Sequence, residues 1–400
     1  AAMKKSLTVG LILGLSSCAA APNKIPDHKV YADEADALDH SGDVLRFAVV
    51  GNVRAPIPVL DKAGRKGPTD GINQAIVSDL RRQVDRKQLD FVALMGDSVR
   101  WSSTREWKTF DSRWQEVLDG ETVPTTEGYR IPTMPVVGDV DSRSDKRLQG
   151  VYGAFPEVGV DIGHARVASW YSFDVRVEGA IWRMIVLDSN KDRLGSRWNE
   201  QLYWIPEATE GRFDHIVVFM HDPVVTLTKG TEPNVDGAPM ELIDAVEESA
   251  GLMKIRAVFS AEPHSTEVFL PSGPLGEAHF TAGGGGAPAE TQERWGNGGS
   301  LGYGDLQLEP LFDLALQNEF DRQASAQTFP DEVIDHAKAM GTWEGFTAAY
   351  DARYFPLYGY WMAEIQGEEL RVAYEQYQPD GSFKEAYHIK FVDGKWRPKG

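Results

Sequence analysis

The chain has 400 residues, a formal net charge of −19 at pH 7, and 42% hydrophobic against 25% charged residues. That length supports one large domain or two small ones, and the acidic balance disfavours nucleic acid and anionic lipid head groups as partners. The single cysteine, Cys18, excludes a disulfide within the chain, so packing alone must hold the fold.

The N-terminus reads as an export signal. Met3, Lys4 and Lys5 supply a positive segment and residues 7–15 a short apolar run, too short to span a bilayer as a permanent helix. Leu15-Ser16-Ser17-Cys18 resembles the bacterial lipobox. The expectation is a signal peptide over residues 1–17 and membrane attachment by a lipid anchor at Cys18; the alternative is an ordinary signal peptide with an incidental cysteine. Ala19 is not the Asp that retains enteric lipoproteins in the inner membrane, so the expected location is the bacterial cell envelope, with the outer membrane favoured. Residues 18–43 read as a polar, acidic linker.

Five apolar runs then stop abruptly on polar residues: 47–54 (FAVVGNVR), 91–100 (FVALMGDSVR), 134–141 (MPVVGDVD), 216–223 (IVVFMHDP) and 257–264 (AVFSAEPH). Each reads as a buried strand, and the polar groups at their ends would gather along one rim of a sheet. Helical patterns at 71–86 and 106–118 separate the early strands, which makes the class α/β. Helical periodicity returns at 308–324 and 330–340, followed by Trp343, Phe346, Tyr350 and Tyr354. We read residues 301–356 as a helical insertion near the C-terminus. Residues 357–377 alternate as two strands around Gln366-Gly367-Glu368, and 384–396 read as a hairpin turning at Asp393-Gly394. The strands of residues 357–400 would complete the domain begun at 44–300.

The five run-ends resemble, in order, the motifs of the calcineurin-like metallophosphoesterases: D-x-H, G-D-x-x-D, G-N-H-[ED], an isolated His, and G-H-x-H. Here they stand as Asn52-Val53-Arg54, Gly96-Asp97-Ser98-Val99-Arg100, Gly138-Asp139-Val140-Asp141, His221, and Ala261-Glu262-Pro263-His264. Trp170-Tyr171-Ser172-Phe173, the run 184–190, Gln201-Leu202-Tyr203-Trp204 and the Gly-rich 281–288 extend the likeness, most closely to the purple acid phosphatase branch. The resemblance implies a four-layer αββα sandwich.

It also implies what has been lost. The positions of one metal site are Asn52, Arg54, Asp97 and His264; Arg is a permanent cation with no lone pair to give, so Arg54 cannot be a ligand. The second site would be Asp97, Asp139, His221 and Glu262, all able to bind a hard or borderline cation such as Mn, Fe, Zn or Ca. The family's catalytic His is replaced by Val140, which can neither donate a proton nor stabilise a phosphoryl oxygen. Arg54 and Arg100 would either close a charge network with no ligand or hold an anion such as a phosphate ester. His264 reads as hydrogen-bonded to a carboxylate, and 283–286 lacks the Lys and following helix of a P-loop, so it reads as a turn. The expected function is a lipid-anchored envelope protein with a degenerate, catalytically inactive phosphoesterase-like domain. It would bind envelope protein partners or a phosphorylated small ligand, with one divalent ion or none. The alternative is a residual single-metal phosphoester hydrolase, and a third reading keeps one ion purely for structure.

Overall fold

Two β-sheets stack face to face in the computed structural model, with helices on both outer surfaces. Residues 38–39, 43–54, 69–86, 88–99, 101–118, 133–143, 148–155, 169–225, 237–251, 253–271, 277–285, 350–355, 358–378 and 380–398 are described. Cys18, Arg100 and the helical patterns at 308–324 and 330–340 lie outside them.

The strands are β1 (Leu38–Asp39), β2 (Leu45–Val50), β3 (Phe91–Leu94), β4 (Thr133–Pro135), β5 (Tyr171–Val177), β6 (Ala180–Val186), β7 (His215–Phe219) and β8 (Ile255–Ser260). They continue with β9 (Thr266–Pro271), β10 (Ala278–Ala282), β11 (Tyr350–Phe355), β12 (Gly359–Gln366), β13 (Glu369–Tyr377), β14 (Phe383–Val392) and β15 (Lys395–Pro398). The helices are α1 (Thr69–Asp85), α2 (Thr104–Leu118), α3 (Asp139–Ser142), α4 (Gln149–Ala154), α5 (Lys191–Leu194), α6 (Arg197–Ala208) and α7 (Ala238–Ala250). One sheet runs β15-β14-β13-β12-β2-β3-β4 and the other β1-β5-β6-β7-β8-β10-β9-β11.

Strand periodicity sorts the core into layers. On β6, Trp182, Met184 and Val186 belong to the cluster between the sheets, while Ile181 and Ile185 belong to the cluster under α6 and α7. Phe47 of β2 crosses the gap, with ring centroids 5.9 Å from Phe219 and 6.1 Å from Phe259. Phe280 meets Trp361 at 5.2 Å in the same way. A fully buried Phe such as Phe47 contributes roughly 1.5–3 kcal/mol. On the outer faces, Ile72, Ile76 and Leu80 of α1 repeat at four-residue spacing and are buried against the first sheet. Leu242, Ile243 and Val246 of α7 join Ile216 and Val218 of β7 on the other side. The result is the expected αββα sandwich.

One charged residue is built into this packing. Arg183 of β6 binds Asp174 of β5 through Nε (2.7 Å) and Nη2 (2.8 Å), and Nη1 caps the carbonyls of Ala208 and Glu210 at the end of α6. Its guanidinium lies 4.3 Å from the Phe213 ring centroid. A buried, fully bonded pair of this kind costs about 3–5 kcal/mol to break from one side.

β2, β3 and β4 are parallel neighbours, as are β6, β7, β8 and β10. Their C-terminal ends therefore lie together, which is where an α/β sheet places its ligands. The two rims touch: the Gly51 N–H donates to the carbonyl of Ala282 at 2.9 Å. A Cβ on Gly51 would lie 2.2 Å from the Cβ of Ala261, so only glycine permits this approach.

Two sequence expectations are revised at the sheet edges. Leu38–Asp39, inside the expected linker, pairs in parallel with β5. Tyr350 and Tyr354, expected with the helical insertion, lie on β11, which pairs antiparallel with β9. β9 is buried along its length, and its outer backbone groups need partners that a helix could not give. The hairpins at 366–369 and 392–395 are observed, with Asp393 and Gly394 at φ 51° and 74°. Among the described residues, no helix is long and apolar enough to cross a membrane.

Candidate metal centre

The loops after β2, β3, β4, β7 and β8 deliver the site. Asn52 and Asp97 both sit in the left-handed region, at φ 54° each, directly beyond β2 and β3. Two strained non-glycine residues on adjacent loops are the kind of local cost that clusters where a ligand is held. Gly96 (φ 85°) lets this turn pass close to both neighbours, since a Cβ there would lie 2.6 Å from His221 Nδ1 and 2.7 Å from the Gly138 backbone. Asp139 opens α3 after β4, His221 follows β7, and Glu262 follows β8.

Asp97, Asp139, His221 and Glu262 each bring one donor atom into a group whose members all lie within 4.8 Å of one another. Atoms that surround one cation at bond lengths of about 2.0–2.2 Å must fall within such a span. His221 Nδ1 donates to the Met95 carbonyl at 2.7 Å, which turns Nε2 towards Glu262 (3.0 Å) and Asp97 (3.5 Å). A backbone carbonyl fixing one imidazole nitrogen while the other faces carboxylates is the arrangement that orients a metal-binding histidine. Three carboxylates and one imidazole suit a divalent ion of hard or borderline character, so the donor set fits a metal.

The electrostatics agree. Burial pushes the Asp97 carboxyl up to about 8 despite the nearby His221 and Arg54. Burial opposes charge on His221 as well, yet Asp97 and Glu262 outweigh it and hold the imidazole protonated well above its ordinary range. Burial acts on Asp139 in the same upward sense, but His221 and Arg143 overcome it and hold the carboxyl below its usual value. Protonated His221, Arg54 and Arg143 face the three carboxylates, and a proton on His221 and a cation would compete for the same donors.

The other half of the rim is different. Arg54 Nη1 donates to Asp97 Oδ2 at 2.7 Å, and Nη2 donates to His264 Nε2 at 2.5 Å. A guanidinium has no acceptor, so His264 must present an unprotonated Nε2 to it. At this nitrogen His264 meets the guanidinium, a partner the sequence does not foretell. Asn52 Nδ2 donates to the Ala261 carbonyl at 2.5 Å, and its fully buried Oδ1 has no hydrogen-bond partner among the described residues. Val140 is buried and serves through its backbone, donating N–H to Asp97 Oδ1 at 3.3 Å.

Two contributors were not assigned a role from the sequence. Asp141 is buried and accepts from the N–H groups of Val99 and Gly138, both at 3.1 Å, tying the β3 and β4 loops together. Burial lifts its carboxyl to about 6 even so. Its place at the end of the third motif was the available signal. Arg143, one helical turn beyond Asp139, donates to Asp139 Oδ2 at 2.8 Å. The Arg143 guanidinium carbon lies 5.8 Å from the ring centroid of Trp101. The i,i+4 spacing of Asp139 and Arg143 was readable, but helical ion pairs of that spacing are common on surfaces.

No protein-family model and no curated protein matches this chain. Solved structures do. A structure described as GAP50, the anchor in the inner membrane complex of Plasmodium, superposes with a TM-score of 0.52 at 13% identity, over 89% of this chain and 90% of that one. A purple acid phosphatase from yellow lupin (Lupinus luteus) seeds gives 0.51 at 13% identity, over 87% of this chain and 53% of that chain. PhoD gives 0.52 at 11% identity, over 91% and 73%. The fold is the calcineurin-like metallophosphoesterase sandwich. At these identities the likeness speaks for the fold alone.

Proposed function

We propose that this chain is a binding protein on a phosphoesterase fold, with one divalent cation held by Asp97, Asp139, His221 and Glu262, and without enzymatic turnover of phosphoesters. The observation that carries this reading is the Arg54 guanidinium spanning Asp97 (2.7 Å) and His264 (2.5 Å). A fixed cation on that side repels a second metal. Two-metal catalysis needs a nucleophile activated between two ions, and each ~1.4 kcal/mol of lost transition-state stabilisation is tenfold in rate. Val140 offers no proton in place of a catalytic His.

The export signal and Cys18 support a lipid-anchored location in the bacterial envelope, the outer membrane favoured, where the domain would bind envelope proteins or a phosphorylated small ligand. A protein with the same sandwich is described as an anchor in an inner membrane complex, which is in keeping with a binding role. One observation favours a second reading, a residual single-metal phosphoester hydrolase. The four donors are gathered, and the Glu262 side chain is 32% exposed, so solvent or a substrate reaches the cluster.

A phosphomonoester and phosphodiester panel with the full chain in Mn, Fe, Zn or Ca tests the proposal. The expected result is no turnover above that of the Asp97→Ala variant. Metal-dependent turnover abolished by Asp97→Ala would overturn it in favour of the hydrolase.

A further inference from the structure

Beside the metal cluster, the loop between β3 and α2 presents an indole to solvent. Trp101 is 50% exposed, one of three large hydrophobic side chains so exposed among the described residues. A single exposed aromatic needs no explanation by itself. This one, however, stands on a loop fixed from several directions. The Trp101 N–H donates to Glu106 Oε2 at 2.7 Å, and the Glu106 N–H donates to Ser103 Oγ at 3.3 Å, which closes the start of α2. Ser102 is held at φ 38°, with its Oγ accepting from Trp107 Nε1 at 2.9 Å. These bonds and the positive φ of Ser102 hold the loop in one conformation under a half-exposed aromatic ring.

Arg143 joins that ring to the centre. It donates to the ligand carboxylate of Asp139 at 2.8 Å and lies 5.8 Å from the Trp101 ring centroid. Its side chain is half exposed, so part of the guanidinium stays open to an incoming anion. Aromatic ring, guanidinium and metal-binding carboxylate thus stand in sequence from the rim inwards.

Taking the one-cation centre proposed above as given, we infer that Trp101 and Arg143 are specificity residues for a small phosphate ester of a planar aromatic group. The ring of the ligand stacks on the Trp101 indole. Its phosphate, a dianion, would meet Arg143 and the cation held by the neighbouring carboxylates, two positive charges. No bond is made or broken in this binding.

Isothermal titration calorimetry of the full chain loaded with Mn tests it, with inorganic phosphate, phenyl phosphate and benzoate as probes. Phenyl phosphate should bind about tenfold more tightly than inorganic phosphate, the size of one aromatic stack. Trp101→Ala should remove that preference and leave phosphate affinity in place, and Trp101→Phe should keep most of it. Arg143→Gln should weaken both phosphates severalfold when compared at equal metal loading. Equal affinity for the two phosphates, a preference that survives Trp101→Ala, or benzoate binding as tightly as phenyl phosphate would overturn the inference. Phosphate binding without a ring preference sinks only the specificity claim. Failure of every probe on a metal-loaded chain sinks that claim and the phosphorylated-ligand reading together, while failure to load Mn sinks the one-cation centre itself.

Discussion

Asp97 divides the site into two halves that solve the same problem in opposite ways. On one side its Oδ2 meets Arg54, which also reaches His264, so the positive charge there is a tethered guanidinium. On the other side its Oδ1 faces His221, which also meets Glu262, while Asp139 pairs with the half-exposed Arg143. The first half is filled by side chains, with the buried Asn52 Oδ1 and Arg54 Nε left without a hydrogen-bond partner among the described residues. The second has the donors of a metal centre. A fixed charge gives stability that no chelator can remove, but it forgoes the Lewis acidity that a second ion would bring.

Removing the shared residue should have the largest effect. Asp97→Ala takes a ligand from one half and leaves Arg54 without its carboxylate in the other. Metal retention should fall by 100-fold or more, which corresponds to ~2.7 kcal/mol, as read by elemental mass spectrometry after dialysis. Next is Arg54→Met, which leaves the buried Asp97 carboxylate without its guanidinium. The metal-free protein should lose about 2–4 kcal/mol in urea unfolding, whereas the metal-loaded protein should lose less because the ion still faces Asp97. If both forms lose equally, the two halves are not coupled through Asp97. Glu262→Gln should weaken metal binding by roughly 10-fold with little change in stability, because the residue is partly exposed and Gln keeps a carbonyl donor. Arg143→Gln is the mildest. Its ion pair with Asp139 is solvent-exposed, so stability should move by no more than ~0.5 kcal/mol in the same unfolding assay.

How much of this was readable beforehand follows from the range of the interactions. The strands that carry the site were legible because four or five consecutive apolar residues before a polar stop are a local pattern, and α1 and α2 were legible by periodicity. The turn at Asp393-Gly394 was equally local. Sheet order was not, since β9 lies between β10 and β11 and pairs with a strand whose residues sit some 80 positions on. The lost ligand at Arg54 could be argued from side-chain chemistry alone. Its partner could not: that His264 meets the Arg54 guanidinium depends on where the loops after β2 and β8 meet. Trp101 and Arg143 escaped notice for a similar reason. An exposed Trp and an i,i+4 ion pair have no special signature until the fold sets them beside Asp139.

The asymmetry of the two halves is tested most directly by counting ions. Native mass spectrometry of the full chain after incubation with excess Mn should show one ion per chain, and none in the Asp97→Ala variant. Two ions per chain would mean that Arg54 gives way to a second metal, and would contradict the account.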